Sequence, residues 1–129
     1  MKKNFCEVMA EVNISKRIHN YEIEVVNFNG NVELKKITCM HDVLCDIMKE
    51  IVSKKEVVEV VIVRVDDAVL RKSNDRNYEI TINTVIDGEL CEGVFGAHTP
   101  TAYIARCEVT EYMKESGYSD FEIVSIELK

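Results

Sequence analysis

The sequence predicts an α+β fold with two helices on one face of a mostly antiparallel sheet. Three observations carry that expectation. The chain holds 18 Val and 13 Ile against 5 Leu and 5 Ala, and side chains branched at the β-carbon fit a pleated surface better than a helix. Asn29-Gly30 and Asp87-Gly88 stand between apolar runs and mark hairpins. Two stretches place apolar residues at helical spacing.

In chain order, residues 5–14 alternate as a strand through Cys6, Val8, Ala10, Val12 and Ile14, although Phe5, Val8, Met9 and Val12 also fit a short helix. Residues 21–28 and 31–38 form a hairpin about Asn29-Gly30. A two-residue turn there sets Val25 opposite Leu34, Asn27 opposite Val32 and Glu24 opposite Lys35. Residues 40–54 form a helix on Met40, Val43, Leu44, Ile47, Met48 and Ile51. Residues 57–65 are nearly all apolar, as in a central strand covered on at least one face. Residues 66–77 are polar and variable, a long connection or an extended hairpin tip.

Residues 78–86 alternate, with Tyr78, Ile80, Ile82, Thr84 and Ile86 to one side, and the chain returns after Asp87-Gly88 through Leu90 to Phe95. Thr99-Pro100 reads as an N-cap followed by proline at the first helical position. That helix runs to Ser116 on a core stripe of Ala102, Ala105, Val109, Tyr112 and Met113, and Gly117 stops it. Residues 121–128 form the last strand. From residue 31 the order is βαββαβ with a split third strand, which gives a ferredoxin-like sandwich with an added N-terminal strand or hairpin. No repeat or linker interrupts it, so residues 1–129 read as a single α+β domain.

Composition bounds the function. The 129 residues are 47% hydrophobic and 30% charged, as in a soluble globular domain. No apolar run suffices to cross a membrane, and no apolar signal-like stretch opens the chain. The odd set of cysteines, Cys6, Cys39, Cys45, Cys91 and Cys107, fits free thiols in a reducing compartment, so a cytoplasmic location is expected. The net charge of −7 lies wholly in the second half: residues 1–64 carry 10 basic and 10 acidic residues, residues 65–129 carry 6 and 13. This argues against direct binding to nucleic acid or an anionic membrane. It suits a basic protein partner.

Four groups invite chemistry. Cys39, His41 and Cys45 offer soft metal ligands, but their spacing is not that of a structural zinc site, and no metal is assigned. Asp66-Asp67 at a strand end could hold Mg²⁺, yet no Gly-rich phosphate loop ending in Lys-Ser/Thr accompanies it. Gly93, Gly96, His98 and Thr99, in a loop before the second helix, could cradle an anion, with Cys91 or Cys107 nearby. On the second helix Glu108, Glu111 and Glu115 share a face with Ile104. With Glu89 and Glu92 they form an acidic surface in a region, 87–127, that holds nine acids and two bases.

The expectation is a non-enzymatic protein-interaction module that needs no cofactor and engages a basic partner, in one version by occupying the nucleic-acid-binding surface of that partner. Such inhibition is known by analogy among small acidic proteins of phages and mobile elements. The alternative is a small-ligand or metal-binding protein, or an enzyme, built on the 93–99 loop with His98. A homodimer is also open if the 21–38 hairpin lies at a sheet edge.

Overall fold

The computed structural model describes residues 17–71 and 74–129. The strand expected at 5–14, and Cys6 with it, lie outside the described residues. Two hairpins, each followed by a helix and a further strand, organise the rest. In order these are β1 (Ile18–Asn27), β2 (Asn31–Met40), α1 (His41–Val52), β3 (Val57–Val65), the short β4 (Ala68–Val69), β5 (Arg76–Ile86), β6 (Glu89–Thr99), α2 (Ala102–Glu115) and β7 (Phe121–Leu128). The strands pair antiparallel, in the hydrogen-bonded order β4–β3–β1–β2 in the first half of the chain and β7–β5–β6 in the second.

This overturns the ferredoxin-like sandwich. The element order was legible, but the pairing differs: seven antiparallel strands make up 55% of the described residues and helix only 23%. The N-terminal hairpin is not an addition. Its first strand, β1, pairs with β3 after α1, and in the same way β5 pairs with β7 after α2. The chain therefore repeats one topology, ββαβ with strand order third–first–second. Among the described residues the contacts likewise gather into two compact units, one of residues 17–28 with Leu34–Leu70, the other of Asn29–Glu33 with residue 71 and residues 74–129.

In the first unit Tyr21, Ile23, Val25 and Val65 form a core with Leu44 and Ile51 of α1, and Ile47, Met48, Val60 and Ile62 pack against it. Met40 and Val43, expected on the helix's core stripe, are exposed, and His41 is buried in their place. Met40 is the N-cap, with extended backbone, so its side chain follows the strand before it rather than the helix. β3 is not the central strand. β1 is, with residues 21–26 buried on both faces, while β4 covers β3 only at Arg64 and Val65.

The first hairpin also departs from expectation. Phe28-Asn29-Gly30 joins the strands, and of these the positive φ falls on Gly30 (φ 89), not on Asn29. Three-residue loops with a terminal left-handed glycine are a common hairpin form, so the register expected of a two-residue turn does not apply. Asn29 instead caps the turn, its Oδ1 accepting the Asn31 N–H at 3.0 Å.

In the second unit Tyr78, Ile80 and Ile82 of β5, Ile126 of β7, and Ala102, Ala105, Val109 and Met113 of α2 are buried. Asp87 (φ 51) and Gly88 (φ 81) both take positive φ, which makes the two-residue turn that the sequence predicted. Residues 93–99 are not a loop. They continue β6, paired with β5 residue by residue from Glu89 to Thr99 without a register shift. The helix cap is correspondingly two residues later than expected: Thr101 Oγ1 accepts the Ile104 N–H at 3.3 Å, and the Thr99 hydroxyl donates to the Thr101 carbonyl at 2.8 Å.

Candidate functional site

α2 is held by its apolar face and its cap, and this turns a second face outward. Glu108, Glu111 and Glu115 are all exposed. Among the described residues none has an ion-pair partner. Ile104, on the same side, is half-buried rather than exposed. Spacings of three and four keep the three carboxylates on one side of the helix, where like charges cost a few tenths of a kcal/mol. Lys114 and Arg106 interrupt the surface: with Cys107, Thr110, Glu111 and Glu115, all on α2, they line an open depression. The arrangement is an exposed surface and not an enclosed pocket.

β6 lies beside this helix face. The Phe95 and Tyr112 rings meet edge to face with centroids 5.4 Å apart. Tyr112, expected in the core, is 54% exposed because it sits at the margin of the packed face, over the strand. Glu89 and Glu92 are exposed on β6, opposite Ile86 and Asn83. Leu90 and Val94 flank Glu92 and are also exposed. Sequence reasoning missed these two apolar residues. The signal available for them was the strand alternation of 89–95, which puts Leu90, Glu92 and Val94 on one face.

The anion-cradle residues do not converge. Gly93 and Gly96 are strand residues, and Thr99 is buried with its hydroxyl spent on Thr101. His98 is exposed, its Nδ1 2.7 Å from the Asn77 carboxamide oxygen and its Nε2 3.9 Å from Asp75. Cys91 Sγ faces the Glu89 carbonyl at 3.8 Å, and Cys107 is exposed.

In the first unit His41 and Cys45 do share a helix face, Nε2 to Sγ 3.7 Å. Burial, and then the nearby Cys45, pushes the Cys39 thiol above its ordinary value. Among the described residues, however, no group of three His, Cys, Asp or Glu could hold a metal ion. Asp66 is committed elsewhere: it accepts the Asn20 N–H and faces His19, while Asp67 is exposed. Among the described residues no helix is long and apolar enough to cross a membrane.

No protein-family model matches this chain, and no curated protein and no solved structure matches it.

Proposed function

We propose that the protein is a non-enzymatic interaction module whose second unit engages a basic protein through an acidic surface. The observation that supports this most is the state of Glu108, Glu111 and Glu115: exposed, on one helix face, and in no ion pair among the described residues, although Arg106 and Lys114 lie nearby. Fold stability gives no reason for such a line, since neighbouring like charges on a helix are mildly destabilising. A complementary basic surface removes that repulsion and speeds encounter. One version of the partner is a nucleic-acid-binding protein whose basic channel the carboxylates occupy, in a cytoplasmic setting. Among the described residues no specific geometry favours the ligand or metal reading.

The test is Glu108→Lys/Glu111→Lys/Glu115→Lys. The variant should keep the wild-type circular dichroism melt within a few degrees. It should fail to retain the basic proteins that immobilised wild type retains from host extract. Equal retention by both forms would remove the stripe from the account.

A further inference from the structure

We infer that the edge of β6, unpaired among the described residues, receives an extended Lys/Arg-rich segment of the partner, added as a further strand. The inference rests on the acidic-surface reading and names the element that docks.

The backbone sets the edge. The Asn77 carbonyl accepts the Lys129 N–H at 2.9 Å, so Asn77 faces β7. Alternation then turns Tyr78, Ile80, Ile82, Thr84 and Ile86 toward β6. The two-residue turn agrees, because it makes Ile86 and Glu89 a hydrogen-bonded pair. In β6 the residues paired with these spend their N–H and C=O groups on β5. Leu90, Glu92, Val94, Gly96 and His98 point theirs outward, and none of these groups has a partner among the described residues.

Edges of this kind are normally blunted by Pro, Lys, bulges or short length. β6 has eleven residues, no Pro, no Lys and no register shift in its ladder.

Charge selects the occupant. On one face an added strand would run beside Leu90, Glu92 and Val94, with the two apolar side chains 72% and 57% exposed. On the other it would meet Phe95 and Tyr112. Glu108 and Glu115, four residues before and three after Tyr112, flank that ring on the helix. Both faces thus offer an apolar contact beside a carboxylate. An extended segment alternating Lys or Arg with apolar residues answers both. A second copy of β6 would bring Glu89, Glu92 and the α2 carboxylates against their own kind.

A fluorescent Lys/Val peptide of about β6's length tests this by anisotropy at low salt, since about 0.5 M salt should suppress the electrostatic part. Val94→Pro removes an outward N–H and leaves the β5 ladder intact. It should weaken binding severalfold, up to about tenfold, the scale of one lost hydrogen bond, with an unchanged melt. Glu92→Lys, which places a guarding lysine on the edge, should do the same and serves if the proline variant does not fold. In wild type, the peptide should slow amide exchange at Leu90, Glu92, Val94 and Gly96.

If the triple Glu→Lys variant loses the peptide while Val94→Pro binds it normally and exchange is unaltered, the acidic surface stands and the edge is overturned. If no form binds the peptide, or the triple variant binds it as wild type does, both readings fail. A wild-type dimer that Val94→Pro makes monomeric would assign the edge to a second copy and overturn the basic segment.

Discussion

Asp66 Oδ2 lies 2.6 Å from His19 Nδ1, and Asp66 Oδ1 accepts the Asn20 N–H at 2.9 Å. One carboxylate thereby ties the turn after β3 to the start of β1. The Asn20 N–H, and then His19, hold the Asp66 carboxyl below its ordinary value. Because the folded value is lowered, the stabilisation is full above the ordinary carboxylate range and is lost as pH falls through the folded value. Asp66→Ala should lose about 1 kcal/mol from the contacts themselves, since the side chain is 48% exposed and solvent screens the pair, and a further strain cost because alanine tolerates the φ of 51 less well than aspartate does. It should also flatten the acid limb of a stability–pH profile. Asp66→Asn should retain most of the stability at neutral pH, because its carbonyl still accepts from Asn20 and Asn tolerates the φ of 51. Urea melts between pH 3 and pH 7, the range over which carboxylates titrate, would show both.

The glycines at positive φ should rank by what surrounds them. Gly88 (φ 81) and Gly117 (φ 87) open onto free space, so alanine there meets only backbone strain, about 1–2 kcal/mol. At Gly30 (φ 89) a Cβ would lie 3.0 Å from the Leu128 carbonyl oxygen, while the Gly30 carbonyl accepts the Leu128 N–H at 2.7 Å. Gly30→Ala should therefore be the most destabilising of the three in chemical denaturation. Equal losses would contradict the close approach of β7.

The cap of α2 offers a sharper contrast. Thr101→Val keeps the shape and removes the oxygen that receives the Ile104 N–H, and should cost about 1 kcal/mol. Thr101→Ser should restore most of that. A Val variant as stable as wild type would move the cap elsewhere.

How far the sequence reached is clearest at β1. Its hairpin partner and both helices were legible from turn residues and periodicity. Its position was not, because Glu22 and Glu24 are buried beside Tyr21, Ile23 and Val25, and a polar-out alternation reads as an exposed face. Arg64 supplies one reason: it stands opposite Glu22 with its Nε 3.5 Å from Oε1, a pairing across 42 positions that no local pattern shows. The repeated ββαβ topology was hidden for a related reason. Corresponding positions are chemically unlike, with Phe28-Asn29-Gly30 in one turn and Asp87-Gly88 in the other, and with His41 opening α1 where Ala102 opens α2. Of the site, the helix spacing of Glu108, Glu111 and Glu115 was readable. The 93–99 segment was not, because Gly93 and Gly96 suggested a loop where full pairing with β5 makes a strand.

The most direct measurement of the central claim is a residue-resolved NMR titration of the protein with the Lys/Val peptide. The account expects amide shifts to concentrate at Leu90–His98 and Glu108–Glu115 and to fade as salt rises. Shifts centred on β1, β3 or α1, or a pattern indifferent to salt, would contradict it.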